Sequence, residues 1–258
     1  NMSTSTSPAP GKIGQGLRFD GVDDYVNVGN KNIIDGETGA SICFWMKYNP
    51  SSVTVDGAIV SKWASSGGWV IWVDDVDVLG SGKTNTISFA VNVGVGANGR
   101  VVGNTELVAS GVWDYYCGTF QGGSFIRLYK NGALDVQNTT NIVATVTSSA
   151  QPIYFANSAD NSLIKYLDAS VDEVRVYNRA LSASEVKALY NQGASKFNKT
   201  PTNTLTSGLV SHWTFDGADT NFTTNTVSDK SGQGNNGTMI NMSTSTSPAP
   251  GKIGQGLR

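Results

Sequence analysis

An all-β sandwich is the fold class this sequence predicts, and three observations carry it. Apolar and polar residues alternate in short runs separated by Gly, Asn and Asp, as half-buried strands between turns require. The chain has 30 Gly but Glu at only four positions, Glu37, Glu106, Glu173 and Glu185, a balance that favours turns and strands over helices. With 39% hydrophobic and 15% charged residues in 258, there is too much apolar material for disorder and too little charge for a long-helix protein. All-β sandwiches of about 200–250 residues commonly form one domain.

The strand signals fall, in order, at residues 25–29, 41–47, 68–73, 86–92, 114–120, 125–129, 152–156 and 170–177. Asn131-Gly132, directly after the run at 125–129, predicts a two-residue hairpin because both central positions of a type I′ turn need positive φ. One helix is marked after the last strand. Ser182 and Glu185 form a Ser-x-x-Glu capping box, Leu181 can staple onto the first turns, and Val186, Leu189 and Tyr190 make an apolar stripe. Gly193 stands where a C-cap glycine belongs.

The formal net charge of -2 and the lack of any Lys/Arg cluster exclude the electrostatic footprint of a nucleic-acid binder. Every apolar stretch is broken well short of the roughly 20 residues of a membrane-spanning helix. The sequence opens at Asn1 without a charged and apolar leader, so a removed signal or an excerpt of something longer is expected.

The string NMSTSTSPAPGKIGQGLR at residues 1–18 recurs identically at 241–258, a period of 240 residues. A period this long is a whole domain rather than a solenoid repeat. It predicts a tandem array of nearly identical domains of which this chain is a window; a cloning duplication is the alternative. Residues 194–207 are rich in Thr and Asn, follow the helix and read as a linker.

Several segments together resemble the bacterial LamG-like domains (laminin G type) in cyclic order. They are WTFDG at 213–217, DKSGQGNNG at 229–237, GKIGQGL at 251–257, FDGVDDYV at 19–26, SICFWMK at 41–47, LYKNG at 128–132 and VDEVRVYNRALS at 171–182. The resemblance implies a concanavalin A-like jelly-roll β-sandwich of two antiparallel sheets with one short helix near residues 182–192. It also implies that the family's first strand is the segment here at 208–217. The expected division is therefore a jelly roll lacking its own first strand at 1–193, a linker at 194–207 and the opening strands of the next copy at 208–258. Since the resemblance places the first strand beside the final one, strand 208–217 is expected to complete a neighbouring unit. Folding back onto its own chain is the alternative.

Catalysis is not expected. The glucanases of this fold carry Glu-x-Asp-x-x-Glu on one strand, which is absent, and Asp172 and Glu173 are adjacent, so a regular strand would point them to opposite faces. The single His212 reads as a strand residue. Calcium is the expected cofactor. The Gly-rich loop at 229–237 can turn oxygens toward one point, as a hard cation requires, and the resemblance implies a structural calcium near such loops. The expected ligands are Asp216, Asp229 and Asn235, with Asp172 or Glu173 from the adjoining strand; turn-forming Asx residues are the alternative. Asp20, Asp23 and Asp24 read as turn residues, and the acidic run Asp74, Asp75, Asp77 as an exposed hairpin. Cys43 and Cys117 both fall in strands and could be bonded or could be two free buried thiols.

Two functions are expected from different classes. The first is an extracellular, cell-surface structural or adhesive repeat that builds a filament or long surface protein, with identical repeats as partners. The second is a calcium-dependent carbohydrate-binding module acting through multivalency. A lectin needs exposed aromatic platforms with amide and carboxylate neighbours. Trp63, Trp69, Trp72 and Trp113 are available, but Trp69 and Trp72 face opposite ways on one strand, so at least one is core. Sequons at Asn138, Asn198, Asn221 and Asn236 offer glycosylation acceptors.

Overall fold

Two antiparallel sheets face each other across one apolar core in the computed structural model, which describes residues 8–48, 56–64, 67–74, 82–91, 99–105, 107, 111–159, 166–194 and 206–240. The first sheet runs β1 (Pro8–Pro10), β2 (Gln15–Asp20), β13 (Asp168–Tyr177), β4 (Gly39–Tyr48), β9 (Trp113–Gln121), β10 (Phe125–Lys130), β11 (Ala133–Asn138), with β14 (Leu209–Trp213) also on β13. The second runs β15 (Thr220–Asn221), β16 (Thr226–Val227), β17 (Gly237–Ile240), β3 (Tyr25–Gly29), β12 (Ile153–Phe155), β5 (Gly57–Ala64), β6 (Gly67–Asp74), β7 (Thr86–Val91), β8 (Arg100–Val102). All eight predicted strand signals lie on β3, β4, β6, β7, β9, β10, β12 and β13. Asn131 and Gly132 take φ of 51° and 77° in the turn joining β10 to β11, as the dipeptide predicts.

Alternation decides what each strand offers. On β3, Val26 and Val28 enter the core while Tyr25 and Asn27 face outward; on β12, Ile153 and Phe155 enter and Tyr154 faces outward. Trp69 joins the main core and Trp72 a separate cluster with Trp63, and all three indoles are buried. None of them is an exposed platform.

The helix, α1 (Ala183–Ala194), begins as the capping box requires: Glu185 N donates to Ser182 Oγ at 3.3 Å and Ser182 N donates to Glu185 Oε2 at 2.9 Å. Gly193 lies inside the helix rather than after it. A Cβ there would come within 2.7 Å of Trp45 Cε2, so the glycine is needed for the indole against it, not for a left-handed cap. The helix covers Cys43, Trp45, Tyr115, Cys117, Tyr129 and Tyr177 on the outer face of the first sheet. There Cys43 and Cys117, register partners on β4 and β9, form a disulfide.

One expectation is corrected. The strand at 208–217 does not complete a neighbour: β14 pairs with β13 of its own chain, Val174 opposite Trp213 and Tyr177 opposite Leu209. The physical reason is that β13 offers one edge in two halves. Asp168, Ala169, Ser170 and Val171 pair with β2, and residues 174–177 pair with β14, so the two strands lie end to end along it. Trp213, Phe215, Val227 and Met239 then fill the same core as Leu17 and Phe19. Residues 206–240 thus belong to the body formed by residues 8–194. The second copy of the repeated string, at 241–258, most of the linker, and Asp75 and Asp77 lie outside the described residues. Among the described residues no helix is long and apolar enough to cross a membrane.

Candidate functional site

Carboxylates gather at two places, and the first is the junction where β2 and β14 meet on β13. Glu173 takes a φ of 52° and the register with β4 breaks between Asp172 and Arg175, so the simple alternation expected of Asp172 and Glu173 fails and both side chains are buried. Glu173 Oε2 accepts from Arg175 Nη2 at 2.6 Å and lies 2.9 Å from His212 Nε2. Burial alone would raise its pKa, but His212 and Arg175 outweigh burial and hold it below the ordinary value. Asp172 Oδ2 accepts Ile13 N at 2.9 Å, and Asp216 Oδ1 accepts Gln15 N at 2.7 Å, so both clasp the loop that leads into β2. A Cβ at Gly11 would meet Asp172 Oδ2 at 2.6 Å, which is why that loop carries a glycine there. Burial and the Glu173 charge push Asp172 well up, and burial pushes Asp216 up to about 6.

The Gly-rich loop at 229–237 folds on itself. Asp229 accepts His212 N and Ser231 N on Oδ1, at 2.9 Å each, and Ser231 Oγ at 2.8 Å and Asn235 N at 3.0 Å on Oδ2. Asn235 Nδ2 donates to Val210 O at 2.9 Å and Ser211 Oγ at 3.0 Å, and its carbonyl accepts Trp213 Nε1 at 2.9 Å. The structure therefore brings Asp172, Glu173 and Asp216 to one junction, makes Asp229 an Asx turn residue and ties the Asn235 amide to β14. Asp172, Glu173, Asp216 and Asp229 do not converge three at a time on one point as metal ligands would.

The second place is the turn from β2 in one sheet to β3 in the other. Among the described residues, Asp20, Asp23 and Asp24 are the group whose ligand oxygens lie within 4.8 Å of one another, and they could hold a metal ion. The turn folds this way because Gly21 has φ 79°, Val22 N donates to Asp20 Oδ1 at 2.8 Å, and Asp20 N donates to Asp24 Oδ2 at 3.1 Å. Asp24 is fully buried, yet its Oδ1 has no hydrogen-bond partner. Burial, then the charges of Asp20 and Asp23, push its pKa up to about 7. A carboxylate that is buried, crowded by like charge and left with an open oxygen is a donor set that a hard cation would satisfy.

Aromatic rings stand beside the turn. Tyr25 packs edge-on against Tyr154, centroids 5.7 Å apart, and at a tilt of 39° against Tyr166, at 6.2 Å. All three are half-buried, and the Asp23 charge helps raise the Tyr166 pKa after burial and Tyr25. Asn27 shares the outer face with Tyr25 and pairs across to Tyr154. This region was missed because each residue has a local reading: the aspartates as turn formers, the tyrosines as strand residues. A usable signal existed in the alternation at 25–29, which sends Tyr25 outward directly after Asp23 and Asp24.

A sandwich of two antiparallel sheets with one short helix defines an all-β, concanavalin A-like class of fold. The chain belongs to the Laminin_G_3 family of the concanavalin A-like lectin/glucanases superfamily, whose model matches residues 20–187. No curated protein matches it in sequence. Among solved structures it is similar to a Bacteroides ovatus protein proposed to bind carbohydrate (17% identity, TM-score 0.68, 95% of this chain and 62% of that one). It is also similar to the binding domain of Paraclostridial Mosquitocidal Protein 1 (18%, TM-score 0.58, 74% and 47%). A third is a heptameric SAP-like pentraxin from Limulus polyphemus (17%, TM-score 0.52, 81% and 95%). At these identities the likeness is one of fold. The chain spans 62% and 47% of the lengths of the first two.

Proposed function

We propose that this chain is an extracellular, non-catalytic carbohydrate-binding module that uses calcium held by Asp20, Asp23 and Asp24, with Tyr25, Tyr154 and Tyr166 as the platform beside it. The observation that carries the reading is the pairing of an open, buried Asp24 oxygen with three half-exposed rings on one rim of the sandwich. The rings offer apolar faces and the amide of Asn27 a polar neighbour, the combination a sugar needs for orientation. The fold neighbours support the reading, and the disulfide supports an oxidising compartment. A glycan array with and without chelator tests it: calcium-dependent binding is the expected result, and no binding at multivalent density would remove it.

The repeated string favours a second, compatible role. Tandem copies, with a boundary near residue 240 where the second copy of the string begins, would multiply a weak affinity without new contacts. A filament is the structural form of that role, with neighbouring repeats as partners. Its support is the repeat alone, because the edge that would have paired with a neighbour is closed by β14. Negative-stain images of regular beads would favour it, and dispersed monomers would count against it.

A further inference from the structure

We infer that Lys62 and Asn32 condense into an intramolecular amide, a side-chain cross-link made by the folded chain itself with Asp35 as its catalytic acid–base group. Lysine is almost never fully buried unless paired. Lys62, on β5, has no exposed surface, and among the described residues no other lysine is buried. Its Nζ donates to Asn32 Oδ1 at 3.1 Å and forms an ion pair with Asp35 Oδ2 in which the two side chains are 0% and 2% exposed. Asp35 Oδ1 is buried without a hydrogen-bond partner. An amine, a primary amide and a carboxylate shielded from water, all at one point, are the parts that aminolysis of a side-chain amide requires.

The partners are held in place. Asn32 and Asp35 stand on the segment that crosses from β3 in the second sheet to β4 in the first, and Ile33 and Ile34 between them are in the core. Gly36 N donates to Val146 O at 2.7 Å and Val146 N to Glu37 O at 3.0 Å, which pins the segment just after Asp35. Lys62 lies opposite Trp69 of β6, inside the ladder of the second sheet. The Asn32 Cγ is one C=O bond, about 1.2 Å, behind the oxygen that Nζ touches, so little movement separates the hydrogen bond from attack. As an ion pair alone the arrangement is no strong source of stability, since apolar replacements of buried pairs are often neutral or better.

Lys62 Nζ passes one proton to Asp35, and its freed lone pair attacks Asn32 Cγ, forming the C–Nζ bond. Asp35 then hands a proton to Asn32 Nδ2 and takes one from Nζ, the C–Nδ2 bond breaks, and ammonia leaves. An ammonium, a carboxylate and a primary amide thus become a secondary amide, a carboxylic acid and ammonia, with no oxidant or co-reactant. Two buried charges disappear, which removes the cost of keeping them out of water. Asn32 is exposed, so the ammonia escapes to solvent. The product ties the sheet-crossing segment covalently to β5.

The intact mass of the full chain, with its disulfide reduced, tests this. The expected mass is lower than that of the sequence by one ammonia, and a tryptic map should join the peptide that begins at Asn32 to the one that contains Lys62. A full sequence mass overturns the inference, as does a loss of ammonia without the joined peptide. A loss of one water overturns it too, by making Asp35 the acyl partner in place of Asn32. Asp35→Ala should keep its full mass; a joined peptide in that variant removes Asp35 from the chemistry. Should Asp35→Ala fail to fold, Asn32→Ala decides: at an exposed position it should fold, retain its full mass and yield Lys62 in an ordinary tryptic peptide.

Discussion

The β13 junction and the turn at residues 20–24 each gather three carboxylates, and they differ in what else reaches those oxygens. At the junction, Glu173 meets Arg175 and His212, Asp172 Oδ2 and Asp216 Oδ1 accept backbone N–H groups of the 11–15 loop, and Asp172 Oδ1 is buried without a hydrogen-bond partner. At the turn, Asp20 and Asp24 accept local backbone N–H groups, and Asp24 Oδ1 is likewise buried without a partner. Each cluster thus keeps an open carboxylate oxygen, and they differ in charge: Arg175 and His212 stand inside the junction, whereas the charges that act on Asp24 are those of Asp20 and Asp23. A carboxylate cluster that holds its own cationic partners is part of the fold, and one whose neighbouring charges are alike is where a cation can bind. Counting acidic residues in the sequence cannot separate the two, because the donors at the junction come from segments as far apart as residues 13 and 212.

The largest effect expected from this contrast is at Glu173. Replacing it with Ala leaves the half-buried Arg175 without its carboxylate, and breaking a buried ion pair costs at most about 3–5 kcal/mol. Denaturant unfolding should show that loss, while Glu173→Gln, which keeps the shape, should lose less. In the folded Gln variant calcium affinity should match the parent; a fall in affinity would make the junction a metal site after all.

Next in size is the turn. Calcium at 100 times its Kd should stabilise the parent by about 2.7 kcal/mol, since the ion binds only the folded state. Asp24→Asn should abolish that increment and leave the melting temperature in EDTA equal or higher, because the variant removes a crowded buried charge. A parent whose melting temperature ignores both calcium and EDTA would refute the site.

The fold was legible because it rests on local signals. The alternation at 25–29 and 125–129, the Asn131-Gly132 turn and the Ser182/Glu185 box each act within a few residues, and each is in place. Position in the body was less legible. Gly193 reads as a cap from its neighbours and is in fact fixed by Trp45, distant in sequence. The site was least legible of all. Whether Asp229 is a ligand or an Asx turn depends on His212 N and Asn235 N finding it, a tertiary outcome. Likewise the tyrosine platform needs β3, β12 and the approach to β13 to meet at one rim.

Acidity should sharpen the contrast further. Asp24 and Asp216 have folded pKa values raised to about 7 and about 6, so the folded state binds more protons than the unfolded one in that range. Their contribution is therefore stabilising at low pH and is lost as pH rises from about 4 through about 6–7. Calcium competes with the Asp24 proton, so its affinity should fall by up to about tenfold per pH unit below about 7. Glu185 works oppositely: Arg179, against burial, holds it down at about 2, so its support is present above the ordinary Glu value and is lost as pH falls toward about 2. Thermal melts in EDTA from pH 4 to 8 should thus decline with pH, and with calcium the decline should flatten. A calcium affinity independent of pH would separate Asp24 from the ion.

The smallest expected effect lies at the tip of the turn. Val22 is 67% exposed between Asp20 and Asp23, and its side chain packs into no core cluster. Val22→Ser should change stability by no more than about 0.5 kcal/mol, the usual bound for surface positions. Asp20 Oδ1 accepts from the backbone N–H of Val22, which serine retains, so the turn and its calcium affinity should persist. Any glycan lost by this variant would then be a contact made by Val22 itself. A drop in stability of several kcal/mol would instead show that the turn is held by its tip, as the junction is held by Glu173, and the distinction between the two acidic regions would fail.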